Sequence, residues 1–170
     1  MFINPKIAVA EGWIQGIRDS NKQIQPNAVD FTMDTLYLVN TEVAHLSETG
    51  KTMRSHDVVA PIDGVWHMAH TRVYEGASDM FVEVPDGAVA ILYTRSTLTR
   101  NGVFLMSGLY DSGFKGHIGF TLYPIGGDMT IAPGTRVGQI AFVQASSASM
   151  YAGSWSHDPN TNWWNQPPKG

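Results

Sequence analysis

The stretch "GLYDSGFKGHIGF", residues 108–120, shows how the chain is built, because a glycine-rich turn leads directly into an apolar strand. The "DSG" sequence at 111–113 predicts a reversal of the chain, and the residues that follow predict a strand over 116–124. From local sequence alone, Asp111 is either a turn residue whose side chain caps a backbone N–H, or the base of an active site.

The same pattern of short β-forming runs separated by turns continues on both sides of this stretch. Turn signals such as "PDG" at 85–87 and "APG" at 132–134 separate the runs. Many short strands without βαβ alternation predict a sandwich, jelly roll or barrel. Besides 116–124, strands are predicted at 29–39, 64–74, 88–96, 102–110, 128–133 and 136–144.

Only the N-terminal residues favour a helix, over 4–19. Asn4 is a plausible N-cap, and Pro5 suits the first helical position. Gly12 and Gly16 weaken the helix, so we expect that it needs docking to persist.

The last 25 residues are rich in Ser, Asn and Pro, which argues against regular structure. Tyr151, Trp155, Trp163 and Trp164 nevertheless make this segment too apolar for a free tail, so it is predicted to pack on the body or on a neighbouring subunit. We therefore expect one domain of 170 residues with three parts: an N-terminal helix region (1–23), a β core (24–144) and a C-terminal arm (145–170).

Composition narrows the classes of partner. The net charge of −4 and the absence of a basic run disfavour a nucleic-acid polymer, although a small anionic ligand needs only two or three local cations. The absence of cysteine excludes disulfides, thiolate zinc sites and a cysteine nucleophile. No apolar run approaches the length of a membrane span. We expect a soluble cytoplasmic protein, in the host cytoplasm if the source is viral.

Isolated motifs give weak signals. His67 and His70 are three apart, which on a strand places them on opposite faces, so they are not expected to share a metal. Ser96 lies in "TRSTLTR" between Arg95 and Arg100. Positively charged side chains on both sides of a hydroxyl can bind a phosphate group. The same sequence can also be interpreted as two ordinary surface arginines at the end of a strand.

Taken together and in order, the segments resemble the superfamily shared by trimeric dUTP diphosphatases and dCTP deaminases. The N-terminal helix and the C-terminal "YAGSW" make the architecture more similar to the deaminase branch. The segments that carry the resemblance are "IQPNAVDFTMDTLYLV" (24–39), "TRSTLTRNGV" (94–103), "GLYDSGFKGHIGFTL" (108–122), "IAPGTRVGQIAF" (131–142) and "YAGSW" (151–155).

The resemblance implies a mainly β fold with a distorted barrel or jelly-roll-like core (the dUTPase-like β-clip), one N-terminal helix, and a homotrimer with sites between subunits. Asp111 corresponds to the aspartate that holds the attacking water. The residues expected to contact phosphate are Arg95, Ser96, Arg100 and Gln139. Mg²⁺ is expected to bind mainly through the triphosphate, with no direct protein ligand.

The resemblance also implies where the sugar and base bind. Phe114 corresponds to the aromatic that stacks on deoxyribose. Backbone groups of the preceding hairpin are expected to select the base, at Gly108, Leu109 and Tyr110. Tyr151 and Trp155 are possible contacts from the C-terminal arm.

The chain departs from the deaminase pattern at Thr121, where the resemblance places the glutamate that acts as acid and base. A threonine hydroxyl cannot replace that carboxylate, and no Glu occurs between 84 and 170. The leading hypothesis is therefore a diphosphatase that converts dUTP and water to dUMP and pyrophosphate. The alternatives are a diphosphatase acting on dCTP or a modified pyrimidine nucleotide, a dCTP deaminase or bifunctional enzyme, and a non-catalytic nucleotide-binding or structural trimer.

Overall fold

The structure is a computed structural model that describes residues 1–158 and 160. This part of the chain is mainly β, with three short helices, α1 (Pro5–Ala10), α2 (Ser20–Gln23) and α3 (Ser96–Arg100). Its strands are β1 (Ile14–Gln15), β2 (Val29–Met33), β3 (Thr35–Val39), β4 (His45–Ser47), β5 (Gly50–Thr52), β6 (His56–Val58), β7 (Trp66–Met68), β8 (Tyr74–Glu83), β9 (Ala88–Thr94), β10 (Val103–Met106), β11 (Lys115–Pro124), β12 (Met129–Ile131) and β13 (Thr135–Gln144).

The strands form four antiparallel sheets. The largest has the order β10-β11-β8-β3-β6, with β1 also paired to β8, and a three-stranded sheet has the order β2-β13-β9. Two-stranded sheets pair β12 with β7 and β4 with β5. The mainly β prediction is confirmed, and within the described residues the sheets stay open and form no closed barrel.

The core joins the two larger sheets through aromatic rings that lie over glycines. Phe31 of β2 faces Gly138 of β13, and Phe120 of β11 faces Gly76 of β8, each across a strand pair. The centroids of the two phenyl rings are 5.2 Å apart. A Cβ at Gly138 would lie 2.1 Å from the Phe31 ring, and one at Gly76 would lie 2.3 Å from the Phe120 ring. Glycine at these positions lets the rings pack directly on the backbone.

The N-terminal helix is shorter than predicted. Asn4 caps it, since its Oδ1 accepts a hydrogen bond from the Lys6 amide at 3.0 Å. Gly12, just beyond the helix, has a φ value of 74°, a left-handed conformation that ends the helix, whereas Gly16, with a φ value of 82°, follows β1. The chain then adds β1 to the edge of β8 instead of continuing the helix to residue 19.

Several of the predicted strands differ in the structure. The run at 64–74 forms only the short strand β7 before β8 begins at Tyr74, and the run at 102–110 forms only β10. The run at 29–39 divides at Asp34 into β2 and β3, which belong to different sheets. The run at 88–96 ends at Thr94, and α3 follows. No strand was predicted for residues 75–83, although β8 is central to the largest sheet. Most residues of β8 are buried on both of its faces, so the alternation typical of a half-buried strand is absent.

The described part of the C-terminal arm packs on the body of the same chain. The Tyr151 amide donates to the Ser112 carbonyl at 2.7 Å, and the His157 amide donates to the Lys115 carbonyl at 2.9 Å. The arm therefore lies along the stretch that runs from the Asp111 turn into β11. Trp163 and Trp164 lie outside the described residues. Within residues 1–158 and 160, no helix is long and apolar enough to cross a membrane.

Candidate functional site

A buried carboxylate, Asp30, organises a group of positive and polar side chains. Its Oδ2 lies 3.2 Å from Arg95 Nε and 2.9 Å from Arg136 Nη1, and its Oδ1 accepts from Gln139 Nε2 at 2.9 Å. The Asp30 side chain is fully buried, whereas those of Arg95 and Arg136 are 28% and 30% exposed. Asp30 thus fixes two guanidinium groups that still reach the surface.

Strand register explains how these side chains converge. Asp30 of β2 pairs with Gln139 of β13, so the two side chains share one face of the sheet. Arg136 is three residues before Gln139 and would point to the opposite face of a regular strand. A register shift between Arg136 and Gly138 inserts one extra residue and turns Arg136 toward Asp30. Arg136 was not predicted from the sequence, because its role depends on this bulge.

The predicted phosphate residues lie at one end of the three-stranded sheet. Arg95 follows β9 directly, and its amide donates to the Val137 carbonyl of β13 at 3.1 Å. Ser96 and Arg100 are exposed at the beginning and end of α3, which follows Arg95. The structure links Arg95 and Gln139 through Asp30, and chain continuity places Ser96 beside them.

A second group of predicted residues meets at a cavity of about 270 Å³. The cavity is lined by the predicted hairpin and aromatic residues Gly108, Leu109, Tyr110 and Phe114, by the arm residues Tyr151, Trp155 and His157, and by Glu75, Ser107, His117 and Gly119. We call it the hairpin cavity.

The aromatic wall of the hairpin cavity is rigid. Phe114 is buried, and its ring packs edge-to-face against Tyr110 at 4.7 Å and against Tyr151 at 5.6 Å. The Tyr110 hydroxyl donates to the Gly119 carbonyl at 3.0 Å, which joins the hairpin to β11. Because Tyr151 belongs to the arm, the arm completes this wall.

One acidic residue of the hairpin cavity, Glu75, was not predicted from the sequence. It lies on β8, the unassigned strand, and pairs in register with Thr121 of β11. Its Oε2 lies 3.0 Å from His56 Nε2. Burial raises the pKa of Glu75, and the neighbouring His56 opposes that rise.

Asp111 lies outside the hairpin cavity, at an adjoining cleft of about 550 Å³ lined by Val89, Ser112 and arm residues 145–153. Its backbone carbonyl accepts from the Phe114 amide at 3.0 Å, which closes the turn. Within the described residues, the exposed Asp111 carboxylate has no hydrogen-bond or ion-pair partner. The turn therefore forms without help from this side chain.

The Asp111 turn and the Arg95 group lie at opposite ends of β9. Tyr110 pairs with Ala90 near the beginning of the strand, whereas Arg95 follows its last residue. The chain from Val89, beside Asp111, to Arg95 spans about 20 Å in extended conformation. One copy of the chain therefore holds these two groups far apart.

The described part of the chain contains no group of three or more His, Asp or Glu side chains that could hold a metal ion. In particular, His67 and His70 do not share such a cluster. His70 Nδ1 instead lies 2.7 Å from Asp128 Oδ1 at the surface.

Comparisons with a family model and with known proteins indicate the same family. The family model of dCTP deaminase-like proteins matches residues 4–145. A probable deoxyuridine 5′-triphosphate nucleotidohydrolase of Halobacterium salinarum is 32% identical over 146 residues, which cover 82% of this chain and 86% of that protein. A dUMP-forming dCTP deaminase of Rhodococcus opacus is 30% identical over 137 residues, which cover 77% of this chain and 72% of that protein.

A solved structure supports the fold. The 2′-deoxycytidine 5′-triphosphate deaminase from Agrobacterium tumefaciens superposes with a TM-score of 0.67 at 14% sequence identity, covering 85% of this chain and 48% of that one. The resemblance noted in the sequence is thus confirmed by an independent family match and by relatives named for both activities. The chain belongs to the dCTP deaminase-like family.

Proposed function

We propose that the protein is a deoxynucleoside triphosphate diphosphatase that converts dUTP and water to dUMP and pyrophosphate. The observation that carries the proposal is the Asp111 carboxylate, which is exposed and has no structural partner among the described residues, in the turn beside the hairpin cavity. A carboxylate placed in this way is available to orient and deprotonate a water molecule. The Halobacterium salinarum relative, named for dUTP hydrolysis, supports the same substrate.

The phosphate chemistry needs positioning and positive charge more than reactive side chains. Water attacks the α-phosphorus, and pyrophosphate leaves. Arg95 and Arg100 would bind the phosphate oxygens, with Ser96 and Gln139 donating further hydrogen bonds. We add Arg136 to this group, because Asp30 holds it beside Arg95.

Mg²⁺ fits this arrangement as a partner of the nucleotide. The described residues supply cations and amides near the phosphates and no carboxylate cluster, so we propose that the triphosphate oxygens supply most of the ligands to the ion. When bound, Mg²⁺ would neutralise part of the charge that develops on the leaving pyrophosphate.

We propose that a complete site combines two copies of the chain, within a homotrimer. Asp111 and Arg95 lie at opposite ends of β9, whereas both must approach one triphosphate. The outer face of the edge strand β10 also exposes Phe104 and Met106, which are 50% and 61% accessible in the single chain. Apolar side chains on a sheet edge are suited to burial against another copy.

The hairpin cavity would hold the sugar and base. Its Phe114 and Tyr110 rings form an apolar wall, and the hairpin backbone at Gly108 and Leu109 would offer hydrogen bonds to the base. Thr121 occupies the position of the deaminase glutamate and has no carboxylate, so this position favours hydrolysis of the triphosphate over deamination of the base. Because backbone groups of the hairpin would select the base, dCTP or a modified pyrimidine nucleotide is the second candidate substrate.

The test is a turnover assay with purified protein, dUTP and Mg²⁺, in which pyrophosphate is measured directly. We expect pyrophosphate and dUMP in equal amounts. A parallel assay with dCTP and dTTP gives the preference for the base. Nucleotide binding without pyrophosphate release from any of the three would overturn the proposal and favour a non-catalytic nucleotide-binding trimer.

A further inference from the structure

Gln23 is a buried polar side chain that the proposed chemistry does not use. It is the last residue of α2 and is 2% exposed. Its Oε1 accepts hydrogen bonds from the amides of Arg18 and Asp19, at 2.8 and 2.9 Å. Its Nε2 donates to the Asp30 carbonyl at 3.0 Å and lies 3.3 Å from Met80 Sδ. A backbone amide can only donate and a carbonyl can only accept, so these partners fix the orientation of the Gln23 amide.

The bond from Gln23 to Asp30 lies at an open edge of a sheet. β2 is the outer strand in the order β2-β13-β9, so one of its edges has no neighbouring strand in that sheet. Carbonyls on such an edge need partners from elsewhere in the protein or from water. Gln23 supplies a partner at Asp30, whose carboxylate holds Arg95 and Arg136. The Gln23 amide therefore supports, through the main chain, the residue that holds both guanidinium groups.

The same segment also contacts Arg136 directly. Arg136 Nη1 donates to the Lys22 carbonyl at 2.5 Å and to Asp30 Oδ2 at 2.9 Å. Because Lys22 precedes Gln23, a shift of α2 would move one of these two acceptors. α2 has four residues, too few for a helix that is stable by itself, so its position depends on contacts with the rest of the chain.

A second contact secures the beginning of this segment. Arg18 Nη1 lies 3.0 Å from Asp34 Oδ1, and the Asp34 side chain is 5% exposed. Asp34 follows β2 directly, whereas Asp30 lies within that strand. Arg18 and Gln23 therefore attach residues 18–23 to the chain of β2 at two separate points.

We propose that Gln23 is a positioning residue of the triphosphate site. It holds α2 against β2, so that the Lys22 carbonyl and the Asp30 carboxylate together orient Arg136 toward the bound triphosphate. The inference rests on the proposed function in taking Arg136 as a ligand of the phosphates. A guanidinium that folding has already oriented loses less conformational entropy when an anion binds, so its affinity for the anion is higher.

The test measures the affinity for pyrophosphate in the presence of Mg²⁺, by titration calorimetry, for the wild type and for Gln23→Met. Methionine is similar in length, but it can form none of the hydrogen bonds that the Gln23 amide makes to the backbone. We expect the dissociation constant to rise by about 10-fold, the order expected when contacts that orient a charged group are lost.

Tyr74→Phe is the matched control, because it also removes a hydrogen bond of a buried side chain. The Tyr74 hydroxyl accepts from the Ala69 amide at 2.9 Å. Tyr74 lies at the beginning of β8, whereas Met80, which contacts Gln23, lies near its end. This variant should bind pyrophosphate as tightly as the wild type.

A double-mutant cycle with Arg136→Gln separates positioning from a general structural effect. If Gln23 acts through Arg136, Gln23→Met should not weaken pyrophosphate binding further once Arg136 has been replaced. The double variant should then have the same affinity as Arg136→Gln alone. Additive losses, or an unchanged affinity in Gln23→Met, would overturn the inference.

Gln23→Asn is the second variant if Gln23→Met does not fold, as judged by circular dichroism. Asparagine keeps the amide, but its shorter side chain cannot reach both sets of backbone partners, so the same cycle applies. The two proposals fail separately. A wild type that binds pyrophosphate but releases none from dUTP overturns the diphosphatase proposal alone. A wild type that hydrolyses dUTP, with unchanged pyrophosphate affinity in both Gln23 variants, overturns the positioning role alone.

Discussion

Asp30 and Asp111 both belong to the candidate site, but burial separates their roles. Asp30 is fully buried, accepts hydrogen bonds from Arg136 and Gln139, and forms an ion pair with Arg95, so its charge holds the two arginines in place. Asp111 is exposed, and no described residue contacts its carboxylate. A charge that the protein leaves unpaired at a cleft is available for a ligand or a water molecule.

Asp111→Asn should abolish pyrophosphate release while nucleotide binding persists. The amide keeps the size of the side chain but cannot accept a proton from water, so we expect kcat to fall by about 100-fold or more. The dissociation constant for a non-hydrolysable dUTP analogue should change little. Asp63→Asn, in an exposed turn of the same chain, is the control and should retain full activity. An active Asp111→Asn enzyme would contradict the assigned role.

Asp30→Ala should destabilise the fold. Removing this carboxylate leaves Arg95 and Arg136 without their shared buried partner, at a cost of about 3 kcal/mol in the free energy of unfolding. Urea denaturation measures the loss. Asp128→Ala removes an exposed, solvent-screened ion pair with His70 and should change the free energy of unfolding far less. Equal effects of the two substitutions would show that Asp30 does not organise the group.

At the scale of the elements, the two larger sheets depend on the glycines that face aromatic rings. Gly76→Ala would force a methyl group into the Phe120 ring, and we expect the free energy of unfolding to fall by about 1–3 kcal/mol. Gly50→Ala is the control, because a Cβ at Gly50 meets no atom within 4 Å. Denaturant titration of both variants gives the comparison, and a Gly76→Ala protein as stable as the control would show that the sheets can separate at little cost.

The arm contributes a pH-dependent contact. The His117 amide donates to Nε2 of His157 at 3.1 Å, which requires this nitrogen to be unprotonated. Burial is the main cause that lowers the pKa of His157. The folded state therefore favours neutral His157. Its contribution to stability is complete above the unfolded pKa of about 6.5 and declines as the pH falls toward the lowered folded value.

His157→Gln tests this contact, because glutamine can accept the same hydrogen bond and does not titrate. Between about pH 7.5 and about pH 5.5, the wild type should lose more stability than the variant, since only the wild type carries His157 through its titration range. Chemical denaturation at both pH values measures the difference. An equal loss of stability in the two proteins would show that His157 is not the source of the pH dependence.

Much of the fold was predictable at this scale, for definable reasons. Clear turns separate the strands β9–β13, and in β10 and β11 buried residues alternate with more exposed ones, which the sequence shows. The central strand β8 is covered on both faces and lacks alternation, and the N-terminal helix ends just before Gly12, which adopts a positive φ. Two residues of the candidate site were not predicted, for related reasons. Glu75 lies on the missed strand, and Arg136 depends on a bulge that local sequence does not reveal.

At the scale of the whole molecule, the proposed sharing of each site between two copies of a homotrimer predicts complementation. Asp111→Asn and Arg100→Glu should each be inactive, the second because the reversed charge repels the triphosphate. Mixed before assembly, the two variants should recover about a quarter of the wild-type activity, because about three-quarters of random trimers are mixed and each restores about one site in three. A mixture as inactive as its parts would place Asp111 and Arg100 in a site formed by one chain.

The facing positions 75 and 121 have a consequence for comparing members of this family. Two neighbouring strands present their side chains to one patch above the sheet, so an acid can be exchanged for its cross-strand neighbour while the patch keeps its charge. A signature written along a single strand records such an exchange as a loss. Relatives should therefore be compared at positions 75 and 121 together, by whether either position carries a carboxylate. This joint comparison would group them by the charge on that face of the sheet.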